Sequence, residues 1–152
     1  MSITMRELRE LIAEGCDFSQ PLRVVAQDVG KKGGKHSIVR ADEKFPAAMN
    51  ISPGMYDERG TVELAHDPEA AVLMPEAALA GLDSLLEEVP NATIGWVYFF
   101  YFPLEYTGLF GRRKQMRECL LDTNNLLDVY LSDDEPNTLV FKAEYGFGSF
   151  DF

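Results

Sequence analysis

The sequence predicts an α+β fold, with a mostly antiparallel sheet of six to eight strands and two helices packed on it. Two segments carry apolar residues at helical spacing, and several short runs rich in β-branched and aromatic residues are separated by turn residues. Helices and strands do not alternate strictly, as a parallel α/β sheet would require. The 152 residues fit one domain, 1–152, and a chain of this size buries about 70% of its unfolded surface.

The first helix is predicted over residues 4–14. Thr4 and Glu7 have the spacing of a capping box, in which each side chain satisfies the backbone amide of the other residue. Apolar residues then recur every three or four positions until Gly15, a residue type that suits the end of a helix.

A hairpin is predicted next, because the β-rich runs 22–26 and 37–40 flank the Gly- and Lys-rich segment 30–35. Prolines and glycines then break any period between residues 42 and 60, which predicts a long irregular loop. Loops of that length are often mobile or functional, so this one is a candidate lid. Residues 61–65 are predicted to form a strand.

The second helix is predicted over 75–89, since Pro75 suits a first helical turn and leucines follow at helical spacing. For residues 70–74, a strand and the start of a helix remain alternatives. The last third predicts a hairpin from the arms 127–132 and 138–147, whereas 112–126 is compatible with either a strand or a helix.

Residues 94–104 hold six of the seventeen aromatic side chains and predict a strand. Alternation along a strand puts its even-numbered residues on one face, and we expect this face to be the core side. The even face comprises Ile94, Trp96, Tyr98, Phe100, Phe102 and Leu104. The odd face, with Val97, Phe99 and Tyr101, has two interpretations: a helix of the chain covers it, or it meets a partner together with Tyr106.

The charge balance restricts the classes of partner. Fourteen Lys and Arg against twenty-five Asp and Glu give a formal net charge of −11, and residues 60–111 contain no Lys or Arg. Such a field repels nucleic-acid phosphates and anionic lipids and attracts basic proteins. We therefore expect a basic protein partner, with no direct binding to nucleic acid or membrane; a homo-oligomer is compatible with the same surfaces.

No metal or cofactor motif stands out. His36, His66, Cys16 and Cys119 are scattered rather than paired as in a structural zinc site, and we expect both cysteines to be reduced and buried. The glycines of the segment 30–35 do not have the spacing of a phosphate-binding loop. The sequence thus predicts no cofactor, no metal and no catalytic residue.

The N-terminus lacks the pattern of a signal peptide, and the aromatic segment is shorter than the ~20 apolar residues of a spanning helix, so we expect a soluble, cytoplasmic protein. A small acidic binding protein that neutralises a basic one, of the immunity, antitoxin or anti-defence type, fits best. Its predicted binding residues are Asp133, Asp134, Glu135, Glu87, Glu88 and Glu105, with the aromatic-strand residues Val97, Phe99, Tyr101 and Tyr106. The alternatives are a subunit of a larger phage or secretion assembly, and an enzyme of unrecognised type with residues 42–60 as its lid.

Overall fold

The computed structural model describes residues 3–30, 36–54, 58–108, 111–144 and 147–150. Within these ranges it has two α-helices, α1 (Met5–Gly15) and α2 (Pro75–Glu88). The strands are β1 (Arg23–Asp28), β2 (His36–Ala41), β3 (Ala47–Pro53), β4 (Arg59–His66), β5 (Thr93–Gly108), β6 (Gly111–Asp122), β7 (Leu126–Leu131), β8 (Thr138–Ala143) and β9 (Phe147–Phe150). The predicted α+β class with two helices is confirmed.

The strands form one strongly curled sheet in the order β3-β4-β5-β2-β1-β8-β7, with β6 beside β5 and β9 beside β6. The 16-residue strand β5 organises it, because its first half pairs with β4, its second half pairs with β2, and β6 runs along its other edge. The prediction of a mostly antiparallel sheet is wrong, and the sheet is mixed. The pairs β1–β8 and β4–β5 are parallel, and the consecutive strands β4 and β5 are joined by a crossover through α2.

Helix α1 begins where the capping box predicts. The Thr4 hydroxyl accepts a hydrogen bond from the backbone amide of Glu7 at 3.0 Å, and the Glu7 carboxylate accepts one from the backbone amide of Thr4 at 3.4 Å. Met5, Leu8 and Ile12 form its buried stripe. This spacing of three and four residues keeps one side of the helix on the core and leaves the other to solvent.

Helix α2 begins at Pro75, whose fixed φ suits a first helical turn. Its buried side is formed by Ala78, Leu82, Leu85 and Leu86. The start of α1 lies beside the end of α2. Arg6 of α1 donates a hydrogen bond to the carbonyl of Pro90, just after α2, and Arg9 pairs with Asp83, which shows that the two helices run in opposite directions. No helix among the described residues is long and apolar enough to cross a membrane.

The predicted loop at 42–60 is instead mostly a strand and its turns. β3 lies within it and pairs antiparallel with β4 from Ala47–His66 to Pro53–Gly60. The prolines that suggested irregular chain lie at or just before the ends of this strand. The described part of the segment therefore does not have the form of a lid, whereas residues 55–57 lie outside the described ranges. Residues 112–126 form most of β6, a short 3-10 turn and the first residue of β7, and 70–74 form neither a strand nor a helix.

Two β-bulges change the alternation along β5. Opposite β4, Gly60 pairs with Ile94 and Thr61 pairs with Trp96, so Gly95 is an extra residue. Glycine suits this position, because a Cβ added to Gly95 would lie 2.8 Å from the Cβ of Arg59. Each extra residue shifts the side chains that follow to the opposite face of the sheet.

The second bulge falls between Phe99 and Phe102, which pair with Cys119 and Arg117 of β6. Two residues of β5 thus oppose one residue of β6, and Tyr101 takes a φ of 58°. This left-handed conformation is uncommon outside glycine and is typical of a bulge.

The expectation that the even-numbered face of β5 forms the core is therefore wrong for its middle. The buried residues of the strand's aromatic segment are Ile94, Val97, Phe99, Phe102 and Leu104, with Gly95. Trp96, Tyr98 and Phe100 are only half-buried and lie on the opposite side. The side chains of Val97 and Phe99 belong to the same buried cluster as the inward sides of both helices, so the chain itself covers them.

Candidate functional site

A groove between α1 and the edge strand β7 is the candidate site. Its volume is about 590 Å³. Four carboxylates and an apolar floor share it. The residues that line it are Ile3, Glu7, Glu10, Leu11, Glu14, Gly15, Asp128, Val129 and Leu131. None of these described lining residues is Lys or Arg, so the charged groups of the described lining are all negative.

Close contact at one end of the groove fixes the position of α1 against β7. A Cβ added to Gly15 would lie 2.3 Å from a terminal carbon of Leu131, so a larger residue at this position would push the two elements apart. Val129 and Ile3 are 6% and 4% exposed and form the buried part of the floor. Leu11 and Leu131 are partly buried against the same core.

The carboxylates stand at the rim. Glu7, Glu10 and Glu14 lie on one side of α1, three and four residues apart, and all three are exposed. Asp128, also exposed, faces them from β7, and one of its oxygens accepts the backbone amide of Val129 at 2.9 Å. Within the described part of the chain, none of the four takes part in an ion pair.

The other side of α1 has a different charge balance. A crevice of about 450 Å³ between α1 and α2 is lined by Arg6, Arg9, Glu10, Asp83, Leu86 and Glu87. Arg9 Nε is 2.5 Å from Asp83 Oδ1, and this hydrogen bond raises the pKa of the Arg9 guanidinium. Arginines and carboxylates offset each other here. Glu10 lines this crevice as well as the groove and adds to the negative charge near Arg9, whereas Glu7, Glu14 and Asp128 line the β7 side alone.

No family model, curated protein or solved structure matches the chain.

The predicted acidic residues separate into three places. Glu135 and Glu105 are near Arg40, on the outer surface of the sheet. Glu135 makes two hydrogen bonds with the Arg40 guanidinium, at 3.0 and 3.1 Å, which lower the pKa of its carboxyl. Glu105 adds to the negative charge that raises the pKa of Arg40. These two carboxylates therefore already have an internal cation nearby.

Asp133 and Asp134 lie on the turn that follows β7, two and three residues after Leu131 of the groove. At about 3.5 Å per residue, this places them within roughly 10 Å of the Gly15 end. Both are exposed, and the Ser132 hydroxyl accepts the backbone amide of Asp134 at 3.2 Å. The turn thus extends the acidic groove beyond α1.

Asn137 anchors this turn to the loop after α1. Its side-chain oxygen accepts the backbone amide of Asp17 at 2.8 Å, and its side-chain nitrogen donates to the carbonyls of Asp17 and Gln20 at 2.6 and 3.1 Å. Asn137 has a φ of 52°, a conformation that asparagine tolerates better than most residues. One side chain therefore holds the far end of the groove in place.

Glu87 and Glu88 are at the C-terminal end of α2, away from β7. Both are exposed, and Glu87 lines the crevice that contains Arg6 and Arg9. The structure therefore places this pair on the other side of α1 from the acidic groove.

The four predicted binding residues of the aromatic strand also divide. Val97 and Phe99 are 1% and 0% exposed in the core, so they present no surface to a partner. Tyr101 is 40% exposed on the opposite side. The side chain of Tyr106 lies outside the described part of the structure, as do residues 31–35 of the predicted basic tip.

An outer aromatic face is formed by Trp96, Tyr98, Phe100 and Tyr101. The ring centroids of Phe100 and Tyr101 are 4.7 Å apart, and those of Tyr98 and Phe100 are 5.9 Å apart. Burial and a hydrogen bond to the Glu118 carboxylate raise the pKa of Tyr98 to about 12. Tyr98, Phe100 and Tyr101 thus pack on one another on the outer surface of β5, while the Arg59 guanidinium lies 5.8 Å from the centre of the Trp96 ring.

His66 and the cysteines have structural surroundings. His66 Nδ1 is 3.2 Å from the Pro46 carbonyl, and its ring packs at 5.3 Å from that of Phe102. Cys16 is half-buried, Cys119 is buried, and both are free thiols. Among the described residues, no group of three or more His, Cys, Asp or Glu is placed to hold a metal ion.

The sequence interpretation did not include Glu7, Glu10, Glu14 or Asp128 in the site. A helical projection of α1 would have put its three glutamates on one side, because residues three and four apart are neighbours on a helix. Asp128 gives no such signal, since only the packing of α1 against β7 brings it opposite them.

Proposed function

We propose that this protein is a binding module that takes a basic partner protein into the groove between α1 and β7 and thereby neutralises it. Inhibitors of the immunity, antitoxin or anti-defence type act in this way, by covering the functional surface of a cationic protein. The observation that carries the proposal is the groove itself, in which four carboxylates stand over an apolar floor without a basic residue among the described lining.

Glu14 and its repulsion with Glu10 oppose local stability, which supports a role in binding, whereas Glu7 caps the start of α1. Glu10 and Glu14 are four residues apart on a helix, where two like charges cost about 0.2–0.5 kcal/mol. Glu14 also lies in the last turn of α1, which contains no basic residue. Negative charge at that end of a helix is unfavourable by about 0.3–1 kcal/mol. A basic partner would reverse the sign of both effects.

Binding would proceed in two stages. The negative field of the groove and of Asp133 and Asp134 attracts a cationic surface, and steering of this kind raises association rates by roughly 10 to 10³-fold. Apolar side chains of the partner then cover Leu11 and Leu131, the exposed part of the floor. The lifetime of the complex depends on this second stage, because buried apolar contacts act mainly on dissociation.

Affinity capture with matched baits tests the proposal. The wild-type chain is compared with Glu10→Lys/Glu14→Lys and with Glu87→Lys/Glu88→Lys, which has the same net charge but changes the end of α2. We expect a basic protein, enriched at low salt, to be retained by the wild type and by the α2 variant and to be lost from the groove variant. Equal recovery by all three baits would contradict the proposal.

Charge reversal tests the part played by the turn after β7. Only Asp133 and Asp134 are replaced, because Glu135 is paired with Arg40. Reversal of these two charges should slow association with the captured partner and reduce the dependence of the association rate on salt. Rates that match those of the wild type at every salt concentration would exclude the turn from the interface.

A second candidate function, a subunit of a larger assembly, is favoured by the outer aromatic face. Tyr101 is 40% exposed, and Met116 of the neighbouring β6 is 51% exposed. Permanent interfaces use such apolar and aromatic surfaces. In that case the isolated chain should self-associate or bind a hydrophobic dye, and Tyr101→Ser should reduce both; a monodisperse chain without dye binding argues against this candidate.

A further inference from the structure

The acidic groove has as one of its walls a strand edge that is unpaired among the described residues. β7 is the last strand in the order of the sheet, and among the described strands it pairs only with β8. Val129 and Leu131 of β7 form part of the floor, so the edge and the floor belong to one groove. A strand edge presents amide and carbonyl groups that can pair with another chain.

The dimensions of the two walls match. The six residues of β7 extend over about 20 Å, at about 3.4 Å per residue in a strand. The eleven residues of α1 extend over about 17 Å, at 1.5 Å per residue in a helix. An extended segment of about six residues therefore fits the length of the groove.

The charges also match an extended basic segment. In a strand, residues two apart point to the same side and are about 6.8 Å apart. Glu10 and Glu14 are separated by about 6 Å along the axis of α1. Basic residues at alternate positions would meet these two carboxylates in turn, and their aliphatic stems would lie on Leu11 and Leu131, which are on the same face of the sheet as α1. The residues between them would point to the opposite face.

A helix fits this groove less well. It is about 10–12 Å across with its side chains, so it would rest one side on the apolar floor and leave the amides and carbonyls of β7 without a partner. An extended segment uses the edge, the floor and the carboxylates together. Addition of a strand to an exposed sheet edge is a general mode of peptide recognition.

We propose that the partner contributes an extended segment, with basic residues at alternate positions facing α1, that pairs with β7 as an added strand of the sheet. This inference rests on the proposed function, because it names the form in which the basic partner enters the groove.

The probe is a capped peptide of about eight residues, with Lys at alternate positions and Val or Thr between them. Two further peptides carry N-methyl groups on one or the other alternate set of amides, which removes the hydrogen bonds of one strand edge at a time. Binding to the full-length chain is measured by titration, and amide hydrogen exchange is followed by NMR.

We expect the parent peptide to bind and to slow amide exchange within residues 126–131. At least one of the N-methylated peptides should bind at least about tenfold more weakly. Glu10→Lys/Glu14→Lys should weaken the parent peptide by about tenfold or more. The control Glu87→Lys/Glu88→Lys should bind like the wild type.

The outcomes separate the two proposals. If both N-methylated peptides bind like the parent, or if exchange slows only in α1, strand addition is wrong, whereas an acidic groove for basic partners still stands. If the parent peptide does not bind, or if the groove variant binds it as the wild type does, both proposals fail. If exchange across β7 slows with protein concentration alone, a second copy occupies the edge, and the inference is wrong.

Discussion

Replacement of Glu14 by lysine should stabilise the free protein while it weakens the groove. Glu14 is exposed in the last turn of α1, four residues after Glu10, and it lines the groove. Neither Glu14 nor Glu10 forms an ion pair within the described part of the chain, so Glu14→Lys breaks no ion pair among the described residues. The same substitution therefore acts in opposite directions on stability and on binding.

The magnitude follows from two effects. A cation in place of an anion near a helix C-terminus is worth about 0.6–2 kcal/mol, twice the value of a single charge. Repulsion between Glu10 and Glu14 becomes an attraction of similar size, which adds about 0.4–1 kcal/mol. Because the site is exposed and salt screens it, we expect about 1 kcal/mol in the free energy of unfolding. That corresponds to a rise in Tm of about 2–4 °C for a chain of this size.

Thermal and urea denaturation of the wild type and Glu14→Lys measure the effect, at low salt and at about 1 M salt, where the Debye length falls to roughly 3 Å. Glu88→Lys is the matched control, since Glu88 is exposed at the end of α2 and does not line the groove. It should raise stability by a similar mechanism and leave peptide binding unchanged. Glu76→Lys, in the first turn of α2, should lower stability and so check the sign.

Two results would refute this reasoning. If Glu88→Lys stabilises the chain and Glu14→Lys does not, then the end of α1 does not have the electrostatic environment described above. If Glu14→Lys stabilises the chain but binds the lysine peptide as tightly as the wild type, the carboxylate does not contribute to the groove.

Three further predictions concern the fold. Phe99→Ala should lower the free energy of unfolding by about 3–5 kcal/mol because the ring is fully buried, whereas Tyr101→Ala should cost much less; similar losses in urea denaturation would argue against the bulge. Asn137→Ala should lower the free energy of unfolding by about 2–4 kcal/mol, because it removes three hydrogen bonds and strains φ. Asn137→Gly should lower it less, because glycine accepts that φ; equal losses in the two variants would show that φ makes no contribution. Burial raises the pKa of Cys119 to about 12, so in a Cys16→Ser variant its thiol should resist a disulfide reagent at about pH 8 until the chain is unfolded, and rapid labelling of the folded chain would contradict this.

Sequence patterns were sufficient to predict those elements whose determining residues all lie within one short segment. The capping box at Thr4 and the leucine spacing after Pro75 predicted both helices, because these signals lie within a few residues of each other. The hairpin of β7 and β8 was predicted from its turn and its alternating arms. The parallel pairs were not, because β1 and β8 are distant in the chain and because the crossover from β4 to β5 through α2 was not recognised.

The error in β5 has a specific physical cause. Strand alternation was applied without interruption to residues 94–104, whereas Gly95 and the pair Phe100–Tyr101 each introduce an extra residue. Bulges depend on the neighbouring strands β4 and β6, so the sequence of β5 alone did not reveal where its faces exchange.

The candidate site, like the fold, was predictable from the sequence only in part. An acidic chain that favours a basic partner follows from its composition, since twenty-five carboxylates outnumber fourteen cations wherever the chain places them. The composition does not show which carboxylates act together. Some of them are paired with a cation of the chain, as Glu135 is with Arg40, and only the tertiary structure identifies these.

The sequence by itself determined the net charge, the two helices and the presence of one strongly aromatic strand, all of which depend on composition or on contacts within a short segment. Only the tertiary structure decided that Val97 and Phe99 are buried, because two bulges reverse the faces of β5. It also decided that the glutamates of α1 stand across a groove from Asp128, on a strand that pairs on one side only within the described ranges. The physical reason is that a side chain's neighbours across a sheet or between a helix and a strand come from distant parts of the chain, and no local pattern specifies them.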